Sequence, residues 1–250
     1  MGNHSNSGAE HDLWAKVAFR RNRHLAFQAL GDHAVVVQLG ERIDREVFDR
    51  VQALSQYLEQ ATIPGIVEHV PAYTTVTIYY DPLRTTYAET CIALERLLAK
   101  AATSGVAAAR TIEIPVCYGG EFGVDLEYVA ERSGATTGEV IAIHCSATYR
   151  VHMLGFTPGF PYLGGMPERL ATPRRAPPRL KVPAGSVGIA GSQTGIYPLE
   201  TPGGWQIIGR TPLALFRPDE DPPTLLSPGN LVRFRRITSD EFAALREETA

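Results

Sequence analysis

The chain is poor in cysteine, has no long apolar run and carries no strong excess of either charge, and each shortage removes a class of function. Cys91, Cys117 and Cys145 are odd in number and far apart, with no CxxC pair. That spacing argues against a disulfide framework or a thiolate metal centre and reads as free thiols in a reducing compartment. Nowhere is there an uninterrupted apolar stretch of the roughly 18 residues a membrane-spanning helix needs. A formal net charge of −3 gives no global attraction to nucleic acid or to anionic membranes. The opening MGNHSNSGAEHDLW has no basic segment followed by an apolar core, so a cytoplasmic location is expected. The phosphate-cradling GxxxxGK[ST] and the GxSxG elbow are both missing, which disfavours a P-loop enzyme and a serine hydrolase. GIAGSQTG has closely spaced glycines, yet it lacks the strand, helix and acidic residue of a dinucleotide fingerprint. His144 and His152 have no ligand-spaced histidine or cysteine partner, so hydrogen-bonded structural roles are expected and no metal-ligand set is read.

What is present is a foldable chain in two parts. With 250 residues, 44% hydrophobic and 20% charged, the composition supports a buried core and favours two domains over one. The expected division is a polar tail over 1–22, an α/β domain over 23–104, a β-barrel domain over 105–238, and a tail or short helix over 239–250. In the first part, Leu25–Leu30 and Ala34–Leu39 form β-like runs split by Gly31 and Asp32. Asp44 is placed to cap a helix whose Val47, Val51, Leu54 and Leu58 recur on one face until Pro64 and Gly65. IVEHV and TTVTIYYD read as two more strands, Thr86 and Glu89 as the capping box of a second helix, and TIEIPV at 111–116 as a further strand. That order is the split βαβ of a ferredoxin-like domain. Asp125 and Gly134 bracket a third helix and Thr136 with Glu139 open a fourth, read together as a bridge between domains. Tyr149, Val151 and Met153 then alternate as a strand.

Glycine and proline concentrate in the second part, with 11 glycines and 10 prolines among the 58 positions from Gly155 to Pro212. No helix of useful length fits there, while LKVPA, SVGIAG, GWQIIG, LALF and NLVRF fit short strands of a small barrel. GFTPGFPYLGG, 155–165, reads as a rigid loop in which Phe156, Phe160, Tyr162 and Leu163 present a pocket or an interface. From His144 to Phe216 there are seven basic residues against two acidic ones, so PRRAPPRLKVP reads as an anion-binding rim. Arg210, in GRTP after an apolar strand, is expected to need a partner.

The stretches GFTPGFPYLGGMP, TPRRAPPRLKVPAGSVGIAGSQTGIYPLETPGGWQIIGRTPLALF and SPGNLVRF resemble the family of the small, B-type subunit of 5-oxoprolinase. That family also includes the small allophanate-hydrolase subunit and a bacterial sporulation-kinase inhibitor. The resemblance runs from about Leu25 to Ile237, and Asn230 stands where the family often has Asp. It implies an α+β architecture, a ferredoxin-like domain followed by a cyclophilin-like barrel. It also implies a component, inert alone, of an ATP-dependent enzyme that opens 5-oxoproline to L-glutamate. Its partners would be a larger homologous C-type subunit and a lactam-handling A-type subunit, with ATP and its Mg bound by the complex. The expected site, at the interface with the larger subunit, comprises Tyr162, Arg174, Arg179, Ser186, Gln193, Tyr197, Trp205, Arg210 and Thr211. In it the arginines hold anions, Ser186, Gln193 and Thr211 supply neutral hydrogen bonds, and the aromatics exclude water. No catalytic residue is assigned. The alternatives within the resemblance are an allophanate or urea-pathway component and a binding module that inhibits a histidine kinase.

Overall fold

The computed structural model describes residues 26–101 and 109–248, and the chain divides into two compact units, Met1–Ala108 and Ala109–Ala250. The first unit holds a sheet of β1 (Ala26–Ala29), β2 (Ala34–Gln38), β3 (Ile66–Pro71) and β4 (Thr75–Tyr80) in the order β1-β2-β4-β3, antiparallel throughout. Gly31, at φ +65, makes the turn between β1 and β2, a conformation open to glycine without steric penalty. Two helices accompany the sheet, α1 (Arg45–Gln60) and α2 (Tyr87–Ala101). Asp44 accepts a hydrogen bond from the Val47 N–H at 2.8 Å, and the Thr86–Glu89 capping box forms. The unit's core unites Val35, Val37, Val76 and Ile78 of the sheet with Val51, Leu54, Leu58, Leu94 and Leu98 of the helices. Each fully buried aliphatic of this kind contributes roughly 1.5–3 kcal/mol.

The strand read at 111–116 does not complete this sheet. It becomes β5 (Thr111–Tyr118) of the second unit, where it pairs in parallel with β13 (Leu231–Ile237). The edge place is taken by β1, because the hairpin is local in sequence and needs no crossover. The second unit is a closed barrel of seven strands in the order β10-β7-β6-β13-β5-β12-β9. Its other members are β6 (Tyr149–Leu154), β7 (Pro161–Gly164), β9 (Ser186–Ala190), β10 (Gln193–Ile196) and β12 (Gln206–Arg210). A two-stranded ribbon, β8 (Arg179–Val182) with β11 (Thr201–Gly203), accompanies it. Closure removes the exposed sheet edges that short strands would otherwise present.

Three expectations are corrected by the structure. The aromatic stretch at 155–165 is a loop only to Phe160; its second half is β7, with Pro161 at the strand's first position, where a missing N–H is tolerated. LALF forms no strand, only a bridge from Phe216 to Thr224. The third and fourth helices, α3 (Leu126–Ser133) and α4 (Thr137–Ser146), belong to the second unit and bury Leu126, Val129, Ala130, Val140 and Ile141 in the barrel core. They seal a barrel that needs apolar cover, where a connector between domains was expected. The C-terminal segment forms α5 (Ser239–Glu248), with Phe242 packed on Cys117, Ile237 and Phe122. The expected tail at 1–22 lies outside the described residues.

At the heart of the second unit lies His144, fully buried. Its Nδ1 lies 2.8 Å from the Tyr118 hydroxyl and its Nε2 3.1 Å from Thr194 Oγ1. Thr194 donates its own proton to the Gly188 carbonyl at 3.0 Å, so Nε2 carries the imidazole proton and Nδ1 accepts from Tyr118. Burial pulls the His144 pKa down to about 3 and pushes the Tyr118 phenol well up. The structural role read for His144 is the one observed.

Candidate functional site

The outer face of β9, β10 and β12 carries a second, smaller apolar cluster of Phe160, Val182, Ala190, Tyr197, Trp205 and Ile207, with Tyr162 packed against it. Glycines in the strands make room for it. A Cβ on Gly195 would stand 2.9 Å from the Phe160 ring and 3.0 Å from the Trp205 ring, and one on Gly203 would collide with the Tyr197 hydroxyl. Phe160 sits at the centre, with ring centroids 5.0 Å from Tyr162, 5.3 Å from Tyr197 and 5.4 Å from Trp205, all edge to face. Phe156, at φ +68 and 61% exposed, extends the cluster to the surface through contacts with Phe160 and Tyr197. A phenylalanine held in the left-handed region is under backbone strain of about 1–3 kcal/mol, a feature that collects at functional sites.

Beside these rings the basic rim is organised by a carboxylate. Asp125 is 4% exposed. Its Oδ1 accepts from Arg179 Nη2 at 2.6 Å and from Arg175 Nη1 at 3.1 Å, and its Oδ2 accepts from the Ile207 N–H at 2.7 Å. The helix-capping role expected of Asp125 is therefore not the observed one: it occupies the N-cap position of α3 but makes no side-chain cap bond. Three donors outcompete the single N–H that capping offers. Each guanidinium keeps an uncommitted buried nitrogen, Nη1 of Arg179 and Nε of Arg175. Arg174 is exposed, and Lys181 is tied to Glu200 at 3.1 Å.

A row of three residues crosses the same face. Tyr197 donates its N–H to the Ser186 carbonyl, and Ser186 stands opposite Arg210 in the β9–β12 register, so the three side chains emerge on one side of the sheet. Ser186 is fully buried, and its Oγ makes no hydrogen bond. Arg210 has the partner expected of it in an aromatic ring: its guanidinium lies over Phe122, 5.9 Å from the centroid, while its Nε is unpaired. Burial lowers the Arg210 pKa, Glu121 opposes that and Arg246 adds to it. Burial raises the Tyr197 pKa, held back by a Trp205 backbone hydrogen bond and by Arg174 and Arg179.

The nine expected residues thus fall into groups. Tyr162, Tyr197, Trp205 and Arg179 converge, with Arg174 within electrostatic reach of Tyr197. Ser186 and Arg210 form the adjoining row. Thr211 is buried and engaged with backbone: its N–H donates to the Gly185 carbonyl, and its Oγ1 accepts from the Leu213 N–H. Gln193 opens β10, half-buried and engaged in contacts of its own. Asp125 and Phe122 were not foreseen as site residues. Tyr128 stands where a capping box would carry Glu or Gln, so no box supports Asp125 as a cap, but nothing near it in sequence marks the two arginines it binds. Among the described residues no group of three His, Cys, Asp or Glu lies close enough to hold a metal ion, and no helix is long and apolar enough to cross a membrane.

The chain is similar to known proteins over most of its length. Residues 25–226 match the carboxyltransferase domain, subdomain C and D. The chain is 48% identical over 232 residues to the 5-oxoprolinase B-type subunit of Bacillus subtilis (strain 168), covering 89% of this chain and 97% of that protein. It is 47% identical over 207 residues to the protein of the same name from Escherichia coli O157:H7, covering 82% and 93%. The solved structure of a conserved uncharacterised protein from Pyrococcus horikoshii is 49% identical, covers 87% of this chain and 100% of its own, and superposes with a TM-score of 0.53. Urea amidolyase of K. lactis shares the fold at 22% identity and TM-score 0.71, over 90% of this chain and 15% of that one. The match runs nearly the whole length of the curated relatives, and the chain belongs to the 5-oxoprolinase B-type subunit family within the carboxyltransferase subdomain C and D group.

Proposed function

We propose that this chain is one subunit of a hydrolase assembly that opens 5-oxoproline to L-glutamate with hydrolysis of ATP, and that it turns over nothing by itself. The observation that carries the reading is the 48% identity across 97% of a protein named as the B-type subunit of 5-oxoprolinase. The urea-enzyme likeness is of fold alone, at 22% identity, and gives the alternatives less support. The proposed partners are a larger homologous subunit and a lactam-handling subunit, with the cytoplasm as the setting and Mg arriving on the nucleotide's phosphates.

An unstrained lactam resists attack by water, and ATP supplies the means to convert its carbonyl oxygen into a leaving group. This chain's part is to bind, orient and exclude water. Arg179 and Arg174 offer positive charge beside the rings of Tyr162, Tyr197 and Trp205, and Arg210 offers a third cation across the Ser186 row. Arg179, held on a strand and clamped by Asp125, and Arg210, held on a strand over the Phe122 ring, need little reorganisation as charge develops. Phe156 and Leu180 are apolar yet 61% and 86% exposed, Leu180 between Arg179 and Lys181, as expected of a surface a partner covers. In the same reading the first domain is ferredoxin-like and the barrel cyclophilin-like. The test is reconstitution of this chain with both partners, 5-oxoproline and ATP, measuring glutamate and ADP. Stoichiometric release of both is expected, and no turnover by the complete mixture rejects the reading.

A further inference from the structure

We propose that Asp125 is a positioning residue that prepares Arg179 to receive the carboxylate of a small monoanionic substrate, and that this rim is not the polyphosphate site. The inference rests on the 5-oxoproline reading, whose substrate has one carboxylate, while its nucleotide has a highly charged polyphosphate chain.

Three observations carry it. Arg179 divides its fork: Nη2 is bound to Asp125 at 2.6 Å, whereas Nη1 is buried and has no hydrogen-bond partner. A guanidinium with one edge fixed and the other free is oriented for planar, directional recognition of a carboxylate, which a flexible lysine would not be. The free nitrogen has aromatic company. Arg179 stands opposite Gly203 in the ribbon register, and a Cβ on Gly203 would strike the Tyr197 hydroxyl, so Arg179 and Tyr197 meet around that glycine. Their electrostatic coupling agrees with this placement. The third observation is the balance of charge. Of the four cations Arg174, Arg175, Arg179 and Lys181, Asp125 offsets one and Glu200 another, leaving an excess of two. An excess of two, with Asp125 already taking up part of the rim's positive charge, leaves enough for a carboxylate and falls short of the charge of a nucleotide's triphosphate.

The experiment uses the reconstituted assembly and reads KM separately for each substrate in wild type, Arg179→Lys and Asp125→Asn. Arg179→Lys keeps the charge and can still pair with Asp125, which guards against loss of folding, and melting curves accompany both variants. KM for 5-oxoproline is expected to rise about tenfold or more in both, with KM for ATP within about twofold of wild type. The wild type is expected to reject the 5-oxoproline carboxamide, with Arg179→Lys discriminating less between the two. A rise in KM for ATP, or two folded variants with neither KM moved, overturns the inference. If wild-type assembly shows no turnover, the function has failed and the positioning claim is judged by calorimetry with 5-oxoproline and inorganic tripolyphosphate as probes. Binding of 5-oxoproline weakened by Arg179→Lys supports it; binding of tripolyphosphate alone, or of neither probe, overturns it.

Discussion

Ser186 concentrates the chemistry of this chain at the residue scale. Its hydroxyl is fully buried without a hydrogen bond, a placement that costs about 1–3 kcal/mol. Removing the hydroxyl relieves that cost, so Ser186→Ala is expected to raise the urea midpoint slightly. If the hydroxyl donates to bound substrate, the same change lowers turnover of the assembly by about tenfold. Stability and activity would then move in opposite directions. A lowered midpoint with unchanged turnover would return Ser186 to a structural role. Arg210 shows the converse: its need for a partner was legible from an apolar flank, but the partner, the face of Phe122, was not, because a ring from a distant turn leaves no mark near GRTP. Asp125 was legible only as a helix start, since short-range rules score its own neighbours and cannot see two arginines about fifty residues on.

At the scale of elements, the concentration of glycine has a specific cause on β10. Gly195 lies where the rings of Phe160 and Trp205 press on the strand, and a Cβ there would stand about 3 Å from both and from the Pro161 carbonyl. Gly195→Ala should therefore destabilise the protein by about 1–3 kcal/mol, as overpacking does. The midpoint should fall, and the emission of Trp205 should shift to longer wavelength as its ring is displaced. An unchanged spectrum and midpoint would mean the aromatic layer yields freely. The breaker-rich composition located β8, β9, β12 and β13 but offered LALF as a strand that does not form, and it hid β7 and β10, whose Pro161 and Gly195 look like loop residues in sequence. Helix starts fared better: the Asp44 cap and both capping boxes formed as read, because a cap is settled within four residues.

Across the whole molecule, closure of the second unit depends on a pairing that spans most of it, Thr111–Cys117 with Leu231–Ile237 in parallel, around the buried His144. That histidine links the barrel to pH. Its pKa is depressed to about 3 in the folded protein, against about 6.5 when exposed. Between those values the unfolded chain takes up a proton that the folded chain refuses, so stability is full above about 6.5 and falls as pH drops through the window. The slope is on the order of 1 kcal/mol per pH unit. Urea midpoints measured from pH 7 to 5 should decline in wild type and decline less in His144→Gln; parallel slopes would show that another group carries the effect. The sequence by itself determined two parts, three helix starts, the barrel class and the family, because caps, periods and breakers act over a few residues and motifs are read directly. Only the tertiary structure decided that 111–118 leaves the first sheet to pair in parallel with 231–237, that the two middle helices seal the barrel, and that Asp125 holds the arginines. Those outcomes depend on which surfaces and charges meet across long separations, and solvation selects the set of contacts that leaves fewest buried groups unpaired.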